Sequence, residues 1–402
     1  MSTSLLNHTQ NIRNFHHVSH AYLGGHLTWT IIRAPGKFRC SICQSPRVRP
    51  HFKGYRKVAG LPTGRMQTTF HVAVHRLKCQ HCGAYKTEEL EFIPLQKCHY
   101  TKELANKVIE LRSEMTVSAI SKYFGLHWNT VKEIEKKHLR KKYSHIPLSE
   151  VRDIGIDEVH IGKNGFFTIV RNMQNGDVLF VGEGKSGDTL APFAKRVKRF
   201  KHNIQSIAID LGAAYTAWAK EHLPKAVIVY DKFHVIKLMN DKLNAVRRRT
   251  MNQLDKDEKD ELKGQRYTLL RNEECLKEDA REQLEKIRST YEDLGEASIM
   301  KECLRNIYMI AEWEEHARVA FLRWVALVEE TAVTELRTMA KTIKSKLDGI
   351  VAYWKNKLTS ASMEGFNNKI GWLNRQAYGY RDIEYFKLKI YDLPKMKTAK
   401  KL

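Results

Sequence analysis

Two C-x-x-C pairs, Cys40-Ser41-Ile42-Cys43 and Cys79-Gln80-His81-Cys82, lie in a stretch with no Asp or Glu before Glu88. Each pair can present two thiolates to one tetrahedral Zn²⁺. The apolar and β-branched residues between them (Phe70, Val72, Val74, Leu77) suggest a strand-rich spacer that joins the pairs as a zinc ribbon. Four thiolates leave no open coordination position, so the ion would be structural. The 35-residue gap between the pairs is longer than the roughly 15 to 20 of common zinc modules, and two reduced, metal-free pairs are the alternative. Seven cysteines, four of them in these pairs, suit a reducing compartment better than a disulfide scaffold.

The acid-free stretch carries 13 Lys and Arg. Residues 1–150 hold 24 Lys+Arg against 9 Asp+Glu, so +15 of the total +24 sits in about a third of the chain. Such asymmetry suggests a DNA-gripping end. A hydrophobic content of 42% excludes a disordered chain, and 402 residues are enough for two or three domains. The longest apolar stretch, Val319 to Val328, is broken by Arg323, far short of the ~18 residues of a bilayer span. The N-terminus lacks a signal-peptide pattern. These features predict a soluble cytoplasmic, nucleoid-associated protein whose partner is double-stranded DNA, with no membrane contact.

After a basic zinc-ribbon module over 1–98, residues 99–145 read as a helix-turn-helix. Leu104, Val108 and Leu111 recur at helical spacing. Ile120 and Phe124 then precede a turn at Gly125, and Val131 and Ile134 follow. The second helix of the motif is expected to expose Trp128, Asn129, Lys132, Lys136 and Lys137 to DNA. Any helical hairpin would share part of this pattern.

From Val151 the pattern changes to strands: Val151–Asp157, Phe166–Met173 and Val178–Glu183, the last two joined by Asn175-Gly176. A helix over Thr189–Arg199 follows, then a strand ending at Asp210, a helix over Ala213–His222 and a strand ending at Asp231. The order βββαβαβ is the layout of a ribonuclease-H-like α/β core. Its first part spans 150–238. A proline-free, all-helical insertion spans 239–356, with Trp313, Trp324 and Trp354 as expected core anchors, and 357–402 holds a late helix with Glu364 and a basic tail. The fold class is therefore multidomain α+β. In that layout the first and fourth strands lie side by side, so Asp157 and Asp210 meet, and Glu364 packs across the same edge. Three carboxylates brought together raise one another's pKa, a cost that two divalent cations offset. Oxygen ligands favour Mg²⁺ or Mn²⁺, which serve in-line displacement at phosphorus.

The strings Gly155-Ile156-Asp157-Glu158, Ala208-Ile209-Asp210, Tyr230-Asp231-Lys232-Phe233-His234-Val235 and Met363-Glu364-Gly365-Phe366-Asn367-Asn368-Lys369-Ile370, with Tyr378-Gly379-Tyr380-Arg381, resemble the D-D-E transposases of bacterial insertion sequences, specifically the ISL-three family. The ribbon and helix-turn-helix match that family too. The resemblance implies a metal-dependent DNA transposase that recognises terminal inverted repeats, cleaves and transfers strands, and works as a homo-oligomer. Fold position favours Asp210 as the second metal ligand, while motif strength alone would nominate Asp231. With Asp210 preferred, Asp231 and His234 resemble an accessory D-x-x-H element, with His234 near the scissile phosphate. Glu158 points to the opposite strand face and is not expected to be a co-ligand. Asn367, Asn368 and Lys369 would touch the DNA backbone or fix the carboxylate. Arg247, Arg248 and Arg249 form a basic triplet that would grip flanking DNA. Two rivals stay open: a zinc-ribbon and helix-turn-helix regulator with an inactive core, and a structure-selective nuclease or resolvase.

Overall fold

A computed structural model describes residues 3–356 and 361–395; the expected basic tail beyond 395 lies outside the described residues. The chain divides into two units, within residues 1–144 and 145–395.

The first unit begins with α1 (Thr3–Gln10), β1 (Phe15–Leu23) and β2 (His26–Arg33), followed by β3 (Val48–Thr63), β4 (Met66–Cys79) and β5 (Tyr85–Thr87). They form one sheet, order β1-β2-β4-β3, with β5 paired to the end of β4. Leu6, Phe15, Trp29, Phe70 and Phe92 fill its core. The long gap between the cysteine pairs has a simple cause. β3 and β4 form an antiparallel hairpin whose register runs from Thr63↔Met66 at the turn back to Val48↔Cys79. Gly64, at φ +61°, takes the positive-φ place that a tight hairpin turn requires.

Three helices complete this unit: α2 (Lys102–Leu111), α3 (Val117–Phe124) and α4 (Trp128–Lys142). Thr101 and Thr116 cap the first two through their hydroxyls. Gly125 sits at φ +62° and closes α3, its N–H donating to the carbonyls of Lys122 and Ser121. Leu104, Val108, Ile120, Phe124, Val131 and Ile134 form the shared core.

In the second unit β6 (Asp153–His160), β7 (Phe166–Asn172), β8 (Val178–Glu183), β9 (Ser206–Ile209) and β10 (Val227–Tyr230) make a sheet of order β10-β9-β6-β7-β8. The β6, β7 and β8 neighbours are antiparallel, while β9 runs parallel to both β6 and β10. The helices α5 (Ala191–Val197) and α6 (Ala213–His222) provide the crossovers. The first strand does not end at Asp157 as its apolar run suggests. It continues to His160 because β7 keeps pairing with it, Asp157 opposite Ile169. On its other side the ladder with β9 stops at Gly155↔Ala208, leaving Asp157 beside the open end of β9.

Seven helices follow: α7 (Lys232–Gln253), α8 (Lys256–Leu262), α9 (Arg266–Leu270), α10 (Glu278–Thr290), α11 (Glu292–Ile310), α12 (Glu314–Glu330) and α13 (Thr334–Asn356). They share one continuous core with the sheet. Gly349 of α13 lies so close to β10 that a Cβ there would fall 2.6 Å from the Tyr230 ring. Trp324 and Trp354 are buried, their indole N–H groups donating to the carbonyls of Met300 and Ala311. Trp313 is not an anchor. It occupies the N-cap position of α12 and is 58% exposed. The chain then returns to the sheet with α14 (Ala361–Gln376), packed on β6, and α15 (Ile383–Asp392), packed on β8. Among the described residues no helix is long and apolar enough to cross a membrane.

Candidate functional site

Parallel pairing of β6 and β9 carries Asp157 and Asp210 to the same level, each two residues beyond the paired Gly155 and Ala208. The β9–β10 register, Tyr230↔Ile209, sets Asp231 level with Asp210. Three aspartates from three neighbouring strands thus line one sheet edge. The Asp157 carboxylate accepts from the Glu158 backbone N–H (2.8 Å) and from the Asn367 side-chain amide of α14 (2.8 Å). The Gly212 N–H donates to Asp210 (2.9 Å), and a Cβ at Gly212 would press on that carboxylate at 2.8 Å.

His234, one turn into α7, hydrogen-bonds the buried Asp231 carboxylate through Nδ1 at 3.2 Å. Burial alone would depress its pKa. The hydrogen bond to Asp231 and the charges of Asp157 and Asp210 outweigh that and raise it. The imidazole therefore lies within electrostatic reach of all three aspartates. Burial pushes the Asp157 carboxyl above its ordinary value and the neighbouring Asp210 charge adds to the shift. The Glu158 N–H, His234 and Asn367 pull the other way.

Glu364 lies exposed in the first turn of α14, where helix N–H groups favour a carboxylate. The helix is drawn onto β6 at Gly155, where a Cβ would meet the Met173 sulfur at 2.5 Å and the Met363 sulfur at 3.2 Å. Its start is pinned by buried Arg171 of β7. Nη1 donates to the Ser362 carbonyl (2.6 Å), Nε and Nη2 donate to the Gly176 carbonyl (3.0 and 2.8 Å), and the guanidinium covers the Phe366 ring at 4.2 Å. Arg171 was not among the sequence candidates; its signal is a cation inside a largely apolar strand. Asn368 and Lys369 are exposed on α14. Glu158 faces away from the acids, accepting from Tyr215 OH of α6 at 3.0 Å.

The donor set suits a divalent cation: two strand-borne carboxylates, one raised by burial and by its neighbour's charge, with a third carboxylate on a helix packed alongside. These acids do not form a three-ligand cluster. Among the described residues, the group whose ligand atoms all lie within 4.8 Å of one another is Cys40, Cys43, Cys79 and Cys82. Cys40 and Cys82 sulfurs are 3.7 Å apart, and those of Cys43 and Cys79 3.6 Å. Those spacings match the edge of a tetrahedron, about 3.8 Å for a Zn–S bond of about 2.3 Å. Backbone N–H groups of Cys43 and Ile42 hold Cys40 down at about 6. Cys43 receives the Ser45 N–H, yet burial and three neighbouring thiols push it up to about 12. Four thiolates cannot ionise together without a cation, and this donor set fits zinc.

The expected DNA contacts divide. Trp128 and Asn129 are exposed at the start of α4, and Lys132 is half-buried with its ammonium over the Trp128 ring at 6.0 Å. Lys136 is not on the exposed face: it is only 8% exposed. At ~100° per residue it lies about 60° from Leu139, inside the arc that packs on the other helices. Arg248 is exposed. Arg247 is half-buried and donates to Asn244, and Arg249 is engaged by Glu335 and Asp293.

The profile of a family described as Transposase, of the ISL3 D-D-E type, matches residues 154–390. A curated relative, the transposase for insertion sequence element IS1001 of Bordetella parapertussis, is 31% identical over 358 residues, covering 87% of each chain. The transposase for insertion sequence element IS1557 of Mycobacterium tuberculosis is 24% identical over 360 residues, covering 82% of this chain and 79% of that one. A solved structure titled Drosophila P element transposase strand transfer complex aligns with 74% of this chain and 92% of its own, at TM-score 0.41 and 11% identity.

Proposed function

The chain belongs to the ISL3 family of transposases, and from that premise we propose that it recognises the inverted repeats of its element and cleaves and joins DNA at a ribonuclease-H-like D-D-E site. The observation that carries this reading is the parallel β6–β9 register, which sets Asp157 level with Asp210, with the Glu364 helix packed on β6. Asp157, Asp210 and Glu364 would hold two divalent cations. When bound, such a pair activates the attacking hydroxyl and stabilises the leaving oxygen at phosphorus.

The protein's own groups do the positioning. Asn367 ties α14 to Asp157 and fixes the rotation of that carboxylate. The Gly212 N–H does the same for Asp210. Asp231 orients His234 and favours its charged form, so a cation faces the aspartates and any phosphate that approaches them. Asp231 is thus a support for His234, one strand further from Asp157 than Asp210 is. In the first unit, a structural zinc on the four cysteines would hold the end of the β3–β4 hairpin, while Trp128, Asn129 and Lys132 at the exposed start of α4 would enter a DNA groove. Arg248, Asn368 and Lys369 would contact backbone phosphates.

The deciding experiment follows a labelled duplex carrying the element's end, with Mg²⁺, Mn²⁺ or neither. It compares wild type with Asp157→Ala, Asp210→Ala, Asp231→Ala and Glu364→Ala. Metal-dependent nicking and joining are expected, abolished by the Asp157, Asp210 and Glu364 variants and only reduced by Asp231→Ala. Complete loss in Asp231→Ala with activity kept in Asp210→Ala would reverse the assignment of the second acid. Binding without cleavage in any metal would favour a regulator, and cutting without joining a nuclease.

A further inference from the structure

The β3–β4 hairpin ends beside the four cysteines with a face of unusual charge. Arg49 of β3 stands directly opposite Lys78 of β4, which in turn stands opposite Tyr85 of β5. Two residues along, His51 opposes Arg76. Alternation along a strand puts these residues on one side. Ring contacts agree: the Arg76 guanidinium covers Tyr85 at 5.0 Å, and the His51 ring lies 6.1 Å from it. All five are exposed, whereas Leu77 and Cys79, which point to the other side, are buried.

Cations facing each other across a ladder weaken a sheet. The strands β3, β4 and β5 themselves contain no Asp or Glu to offset them. The first carboxylate in the chain, Glu88, is buried and held by Arg33 and His75. A polyanion laid across the strands would relieve this repulsion, and the cysteine site at the Val48↔Cys79 end would keep the face rigid. We propose that this face is a second DNA-binding surface, one that grips backbone phosphates without regard to base sequence and acts beside α4. The proposal rests on the reading that the substrate is duplex DNA; the aromatic content of the face, one Tyr and one His, is too small for a platform of stacked single-stranded bases.

The test titrates the full-length, zinc-loaded protein with labelled duplexes of about 30 bp, one scrambled and one carrying the element's end, without divalent cation, over roughly 50 to 300 mM KCl. In Lys78→Gln the slope of log affinity against log salt is expected to fall in magnitude by about 0.9. In Arg49→Gln/Arg76→Gln/Lys78→Gln it falls by about 2.7, with about 10²- to 10³-fold weaker binding near 0.1 M salt. The losses should be equal on the two duplexes. Lys78→Gln should also raise the melting temperature of the zinc-linked transition by about 1 to 3 °C, because an opposed charge pair is gone. Asn129→Ala on α4 provides the contrast, losing preference for the element's end while keeping the slope. An unchanged slope in a variant that retains zinc overturns the proposal, as does a loss confined to the element's end. If the triple variant sheds zinc, Lys78→Gln alone decides. Failure of wild type to cleave with metal would sink the transposase chemistry without touching this binding result, so the two failures are separable.

Discussion

The two candidate metal centres are built by opposite means. In the first unit, two four-residue knuckles and a hairpin that returns to its origin place four sulfurs within 4.8 Å. In the second, Asp157, Asp210 and Glu364 come from a strand, a strand end and a helix separated by 53 and 154 residues. Sheet order sets the two aspartates level, and helix packing lays the Glu364 helix on β6. Thiols held by local backbone stand together as a cage without any ion. Carboxylates set level by the whole unit repel one another, as Asp210 does Asp157. Local chemistry therefore governs the first site, and the tertiary fold governs the second.

The largest effect that tests this contrast is expected from Cys79→Ser. The residue pairs with Val48 at the end of the long hairpin, so loss of its thiolate should release zinc and loosen the sheet there. Zinc stoichiometry and duplex binding should both collapse. If the variant keeps its zinc and its affinity, the cysteine cage is not what holds that end. Asp157→Asn should behave in the reverse sense. Cleavage should drop by about 10³-fold or more, roughly 4 kcal/mol of barrier. Folding stability at neutral pH should stay level or rise, because burial and the charge of Asp210 both disfavour the native carboxylate. A thermal melt without metal checks this; a large fall in melting temperature would mean that the acid is a structural element.

How much of this was readable in advance follows the same division. The cysteine pairs, the capped helices around Gly125 and the acids that close the apolar runs depend on local pattern, and the strands from β6 to β10 and their crossovers fall where apolar runs and turn residues put them. What escaped the pattern was tertiary. The end of β6 is set by β7 rather than by its own sequence. Lys136 belongs to a packed arc wider than the apolar positions reveal. Trp313 lies exposed at the N-cap position of α12 rather than filling a core. Asn367 could be read as a group near the acids, but not as the amide that reaches across 210 residues to Asp157.

That amide gives the next prediction. Asn367→Ala removes the side-chain donor to Asp157 and should slow cleavage by about 10- to 100-fold. Asn367→Asp should be worse, since it adds a fourth carboxylate beside the aspartates. Duplex affinity and zinc content should not move, so the effect stays within the acid site. A parallel loss of affinity would instead make Asn367 a DNA contact.

The smallest effect is expected at Arg171, and it is the sharpest test of a site assembled by packing. The guanidinium joins three parts that the sequence keeps far apart: β7, the hairpin carbonyl of Gly176, and the start of α14 at Ser362. It touches none of the aspartates through any of these bonds; it fixes where the Glu364 helix begins. Arg171→Met preserves bulk against Phe366 but removes the donor to the Gly176 and Ser362 carbonyls, neither of them in a buried residue, a cost of about 0.5 to 1.5 kcal/mol each. Cleavage should slow by about tenfold at unchanged duplex affinity. Arg171→Lys, with one ammonium for two carbonyls, should fall between the variant and wild type. If the Met variant loses stability yet cleaves at the wild-type rate, the helix finds its place from the packing of Met363 on Gly155 alone, and the acid site is less dependent on long-range anchoring than its construction suggests.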